Sequence, residues 1–166
     1  PRAKYAMAAF YLLASAEISS SLASFDGVRL GVRDTAAKDT VSMFTQTRSQ
    51  LGPEAKRRIL AGTAILQSKH RGTHYEKAQK VRTLINRDLD NALAECHVML
   101  MPTTPTAAFP LGQKLDDPMA MYASDVFTSI ANLAGIPALS VPAAFSKEGL
   151  PLGIQFLGKA FSEPTL

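Results

Sequence analysis

Asp125 lies in Tyr122-Ala-Ser-Asp-Val-Phe127, a carboxylate among apolar neighbours in a run whose flanks read as helix. Taking a lone carboxylate out of water is expensive, so a buried Asp125 requires a cationic partner. Two readings stand: an exposed or capping carboxylate, or a buried one held by a cationic partner. Arg57 and Arg58 follow Lys56 in a second amphipathic run, whose apolar side includes Ile59, Leu60 and Ile65. Adjacent helical residues point about 100° apart, so the two arginines are expected to differ in role, with one facing inward. A guanidinium is permanently charged and planar, which makes an inward arginine a good clamp for a carboxylate head group. The competing reading is a solvated basic helix face.

Other constellations carry less. His70 and His74 are four apart, the spacing of two metal ligands on a helix, but Gly72 lies between them and no Glu follows the first. Cys96-His97 is not at ligand spacing, so no metal site is expected. There is no Gly-x-Ser-x-Gly elbow for a nucleophile and no Gly-rich phosphate loop. With Trp absent and no basic-aromatic interleaving, stacking on nucleic-acid bases is not expected either.

The elements that must position Asp125 and Arg58 follow from periodicity and punctuation. The stretch 5–23, rich in Ala, Leu and Met and uninterrupted by Gly or Pro, predicts a long, largely buried helix, although Arg2 and Lys4 ahead of Ala6-Met-Ala-Ala-Phe imitate a secretory signal. That run continues at helical spacing through Ile18 and Leu22 past Glu17, which favours a core helix, and it is too short to cross a bilayer. Residues 29–38 read as an irregular charged loop and 40–48 as a short helix with Met43, Phe44 and Thr47 on one side. Gly52-Pro53-Glu54 is a helix start, since proline in the first turn forfeits no hydrogen bond and Glu54 suits the positive end; that helix is expected to reach about 67. A turn over 68–73 leads to a helix over 76–95, with Ala78, Val81, Leu84, Ile85, Leu89, Ala92 and Leu93 inward and Lys77, Lys80, Arg82, Arg87, Asp88 and Asp90 solvated.

His97-Val-Met-Leu-Met101, closed by Pro102, reads as a fully buried strand. A loop over 112–117, a continuous helix over 118–134 and strands over 138–143 and 153–157 complete the pattern. Helices alternating with short apolar strands give an α/β fold, a mixed sheet covered by helices. Ligands in such folds sit outside the strand ends, near the turn after Met101 and the segment around Asp125.

A chain of 166 residues, 46% of them apolar, suffices for one domain. It opens at Pro1 and stops just after a strand-like run, and is read as a piece of a longer protein. The net charge of +4 arises from 18 basic and 14 acidic residues with no run of five or more like charges, which disfavours direct nucleic-acid binding. A single cysteine excludes an internal disulfide and fits a reducing compartment.

Several short matches in order resemble the amidase-signature family: Ala16-Glu-Ile-Ser-Ser20, Phe25-Asp-Gly-Val-Arg29, Lys56-Arg-Arg-Ile59, Pro102-Thr-Thr-Pro-Thr106, Asn132-Leu-Ala-Gly-Ile-Pro-Ala-Leu-Ser-Val-Pro142 and Gly149-Leu-Pro-Leu-Gly-Ile-Gln155. The resemblance implies one amidase-signature domain of which residues 1–166 are the C-terminal portion. It also implies a Ser-Ser-Lys triad upstream, so that no catalytic residue is expected in this chain, which alone would be inactive. Asp125 and the Lys-Arg-Arg-Ile element resemble the branch that hydrolyses free glutamine and passes its ammonia to tRNA-bound glutamate. By that resemblance Asp125 would hold the substrate α-amino group and Arg58 its α-carboxylate. No cofactor is implied in this chain, ATP and Mg being used by a partner subunit of a complex with subunits B and C, in bacterial cytoplasm or alternatively a mitochondrion or plastid. Two departures are Phe10, where a tyrosine is frequent, and Ser21, where an asparagine is usual. The alternatives are a stand-alone amidase of the family and a non-catalytic scaffold subunit.

Overall fold

A computed structural model describes residues 2–67, 69 and 71–166. Two compact units divide the chain, one formed by Tyr11–Ala78 and the other by Pro1–Phe10 with Gln79–Leu166.

The first unit is helical. Helix α1 (Ala6–Leu22) enters it at Tyr11 and buries Leu13, Ser15 and Ala16, as its apolar run predicts. Helices α2 (Thr40–Ser49) and α3 (Pro53–Leu66) follow, then a π-helical turn at Arg71–Tyr75. α3 starts as expected, with Gly52 at its N-cap and Pro53 and Glu54 in its first turn. Gly62, buried on α3, lies so close to the Ser15 carbonyl of α1 that an added Cβ would stand 1.9 Å from that oxygen. The irregular stretch before α2 is pinned by polar contacts: Thr47 Oγ1 donates to the Val32 carbonyl at 2.8 Å and Arg48 Nη2 to the Ala23 carbonyl at 3.1 Å.

Asp39 caps α2, accepting hydrogen bonds from the Ser42 amide and the Ser42 hydroxyl, each at 2.8 Å. Those two donors, the amide first, favour the ionised carboxylate and hold its pKa below the ordinary value. A folded-state pKa below the unfolded one gives stabilisation that is complete above the unfolded value and lost as pH falls through the folded one. Asp39→Ala is therefore expected to lower the melting temperature at neutral pH, with the difference from wild type shrinking below about pH 4. Thermal melts across that range check this; a difference constant with pH contradicts it.

The second unit joins helices to a sheet. α4 (Glu76–Glu95) forms over the span the periodicity predicts and buries Ala78, Ile85, Leu89 and Leu93. Two residues assigned to its solvated face make tertiary contacts instead. Arg82 Nε donates to the Leu133 carbonyl at 2.8 Å, and Asp88 takes the Arg2 guanidinium at 2.5 Å. A long side chain can reach back across a helix flank, which a facial assignment by Cβ direction does not capture.

Strands β1 (Val98–Pro102), β2 (Ala138–Phe145) and β3 (Pro151–Gly158) form a sheet in the order β1-β3-β2. The α/β class stands; in this portion of the fold both strand pairs are antiparallel, β2 and β3 being joined by a tight hairpin that permits no crossover. The full burial expected of β1 is corrected. β1 is half-buried to exposed and β2 is exposed along nearly all its length, whereas Gln155 and Leu157 of β3 are buried. Among the described residues, only β3 has a neighbour on both sides. Edge position also explains how β2 accommodates Pro142 and the register shift between Pro142 and Ala144.

Candidate functional site

The helix expected over 118–134 is broken in the middle, and Asp125 sits at the break. Asp117 caps α5 (Pro118–Tyr122) by accepting from the Ala120 amide at 3.0 Å, with Pro118 in the first turn. A 3₁₀ turn, Ala123–Asp125, follows, and α6 (Thr128–Ala134) starts three residues later. Serine and threonine hydroxyls and aspartate carboxylates compete with the helical backbone, and here such residues serve the interruption. Thr128 Oγ1 donates to the Asp125 carbonyl and Ser129 Oγ to the Val126 carbonyl, both at 3.4 Å, meeting acceptors that a continuous helix would have used. α6 ends at Gly135, whose left-handed φ of 69° lets its amide return to the Ala131 carbonyl at 2.9 Å and turns the chain toward β2. Asp125 is thus a half-buried carboxylate on a one-turn shelf between two short helices.

Arg58 lies in the other unit, on α3. Its Nε donates to Glu54 Oε1 at 2.9 Å, while Arg57 pairs with Glu54 Oε2, so one carboxylate serves both arginines. Positions i+3 and i+4 both reach a carboxylate at i, which lets Glu54 serve the two arginines. They still differ. The Arg58 side chain is 32% exposed against 48% for Arg57, and its guanidinium lies 5.7 Å from the Tyr11 ring centroid. Glu54 and Tyr11 fix the Nε edge and the plane of Arg58. Among the described residues no hydrogen bond is made by its Nη groups, the edge a ligand carboxylate would meet.

Each unit also carries a hollow of its own. One of about 470 Å³ is lined by Ala16, Glu17, Ser20, Ser21, Leu66 and Tyr75, so the Ser21 departure faces a cavity. Another of about 390 Å³ lies beside the Pro102–Thr106 turn, between Ala143, Ala144 and Gly153. Near that turn, Thr103 and Ser140 hydroxyls meet at 2.9 Å, linking the ends of β1 and β2 past Gly153. Nothing in the sequence singles out this pair, because its members are 37 residues apart.

His74 lies in the π-helical turn with Nδ1 2.9 Å from Thr73 Oγ1, and His70 falls outside the described residues. Cys96 Sγ donates to the Ala92 carbonyl at 3.4 Å. Among the described residues no group of three His, Cys, Asp or Glu could hold a metal ion, and no helix is long and apolar enough to cross a membrane.

The family model described as Amidase matches residues 1–166. The chain is 52% identical over 167 residues to the A subunit of the glutamyl-tRNA(Gln) amidotransferase of Oceanobacillus iheyensis, covering 100% of this chain and 34% of that protein. The protein of the same name from Geobacillus thermodenitrificans is likewise 52% identical, again with 34% of its length covered. This chain therefore spans about a third of the length of the relatives it matches. Among solved structures, the corresponding glutamyl-tRNA(Gln) amidotransferase protein of Thermotoga maritima superposes with a TM-score of 0.63 at 31% identity, over 99% of this chain and 31% of that one. A bacterial aryl acylamidase of the amidase-signature enzymes shares the fold, at 16% identity and a TM-score of 0.64 over 98% of this chain and 32% of its own. With a family match along its whole length, the chain belongs to the amidase family.

Proposed function

We propose that the full-length protein is the glutamine-hydrolysing subunit of a tRNA-dependent amidotransferase that converts Glu-tRNA(Gln) to Gln-tRNA(Gln), and that this chain supplies part of its glutamine pocket. The observation that carries the reading is the identity of about half, over the whole of this chain, to relatives named for that activity.

Free glutamine is a zwitterion. Arg58, its planar fork already oriented by Glu54 and Tyr11, suits the α-carboxylate, and Asp125 suits the α-ammonium group. Held by both charges, the head group leaves the side-chain amide to an upstream serine activated by the Ser-Lys pair that the family resemblance implies. The serine oxygen bonds to the amide carbon, the C–N bond breaks, and nitrogen leaves with a proton as ammonia. Water then cleaves the glutamyl ester, releasing glutamate and restoring the serine. Backbone donors at the developing oxyanion would stabilise both steps. The partners of this reading are subunits B and C, with ATP and Mg used on the partner subunit to activate tRNA-bound glutamate. The cytoplasm of a bacterium is the compartment that fits the relatives.

The test uses the full-length protein co-purified with subunits B and C and supplied with Glu-tRNA(Gln), ATP and Mg²⁺. Glutamine as the nitrogen donor is expected to yield Gln-tRNA(Gln) together with glutamate. Hydrolysis of neutral amides without glutamine turnover would make the protein a stand-alone amidase, and turnover of neither would make it a scaffold; each result overturns the proposal.

A further inference from the structure

We propose that Lys114 is a positioning residue for the Asp125 turn and thereby sets affinity for the substrate α-amino group; this rests on the glutamine reading above. Lys114 adopts φ 68°, a left-handed conformation in which an ordinary Cβ crowds the following carbonyl. Glycine holds such a backbone freely, and Gly112, two residues earlier, does so at φ 85°. A lysine there keeps the strain and adds a side chain with two contacts.

Its ammonium lies 4.2 Å from the centroid of Phe109 and donates to Ser124 Oγ at 3.2 Å. The second bond spans ten residues, across the Asp117 cap and α5, and lands in the 3₁₀ turn Ala123–Asp125, one position before the carboxylate. Phe161, the other described non-glycine residue with positive φ, has a side chain in solvent at 94% exposure, whereas Lys114 is half-buried.

A three-residue 3₁₀ turn between short helices has no long ladder of hydrogen bonds to hold it. Lys114 holds it from the N-terminal flank, as Thr128 does from the other. A carboxylate on that shelf takes part of its direction from how the shelf is tied. The loop and shelf therefore act as one piece, with Phe109 as the seat for the ammonium.

The test compares Lys114→Gln, Lys114→Gly and Lys114→Arg with wild type in the full-length protein, using glutamine and 4-carbamoylbutanoate, which lacks the α-amino group. Gln and Gly are expected to raise KM for glutamine about 3- to 10-fold with kcat little changed, and to leave 4-carbamoylbutanoate unaffected. Arg, which keeps the charge, is expected to recover part of the loss. The glycine variant is decisive against a purely structural role, because it relieves the backbone while removing the tie. An unchanged KM for glutamine in both Gln and Gly variants, while Asp125→Asn raises it, overturns the role of Lys114 alone. An unchanged KM in Lys114→Gln, Lys114→Gly and Asp125→Asn alike overturns the assignment of Asp125 to the α-amino group as well, whereas the glutamine reading itself falls only if wild type does not turn glutamine over.

Discussion

Asp125→Asn in the full-length protein is expected to lower kcat/KM for glutamine by about 10²- to 10³-fold, with Arg58→Ala falling by a similar factor. Asparagine keeps the shape of the side chain but removes the charge that an ammonium group needs. A hydrogen bond to a charged group contributes about 1.5–3 kcal/mol, and stranding the ligand charge adds a desolvation penalty. Arg58→Lys is not a mild change either, because a lysine offers a point charge where the Glu54-oriented fork offers two parallel donors. Steady-state glutamine hydrolysis by the full-length variants checks both positions. Wild-type kcat/KM in either would remove that residue from the pocket.

Gly62→Ala is expected to destabilise the full-length protein by about 3 kcal/mol or more, at the upper end for overpacking. On helix propensity alone the same change would stabilise an interior position by about 1 kcal/mol. Sterics reverse the sign. The new Cβ would meet Ser15 O at 1.9 Å, Ser15 C at 2.6 Å and Ser19 Cβ at 2.7 Å, and the first two are backbone atoms that give way only if α1 and α3 separate. Gly72→Ala is the control, since the nearest atom to its Cβ is Glu76 Oε2 at 4.0 Å, and it is expected to change stability by about 0.5 kcal/mol or less. Chemical unfolding of the two variants decides; a neutral Gly62→Ala would mean that the two helices do not approach so closely. Because α3 carries Arg58, separating it from α1 also removes Tyr11 from beside the guanidinium, so stability and glutamine use should fail together in this variant.

Helix existence is the most legible part of the fold. The Gly52-Pro53-Glu54 start and the apolar face ending at Leu93 place α3 and α4 within a residue of their bounds, because caps and periodicity are local properties. The break at Asp125 is not legible as a break. Its apolar spacing fits one helix, and the Ser124-Asp125 and Thr128-Ser129 pairs reveal their preference only once their carbonyl and hydroxyl partners are seen. Apolar runs likewise locate the strands but not their direction or cover, since hydrophobicity reports what a strand can bury rather than what lies against it.

For the candidate site, residue chemistry points to a carboxylate and an arginine, while the choice of Arg58 over Arg57 comes from family resemblance rather than spacing. The structure adds that both arginines share Glu54 and that the Arg58 guanidinium stands over the Tyr11 ring of α1. Arg82 shows the converse failure. Helical phase places it on a solvated face, yet its guanidinium reaches the carbonyl of Leu133, 51 residues away, and secures the end of the helix that follows the Asp125 shelf.

The claim that two opposite charges read the head group of free glutamine is tested most directly by substrate discrimination. The quantity is the ratio of kcat/KM for glutamine to that for 4-carbamoylbutanoate, measured in the full-length wild type and in Asp125→Asn. The account predicts a large ratio in wild type that collapses toward one in the variant, through loss of glutamine turnover with the analogue unaffected. A ratio that is the same in both proteins would contradict it.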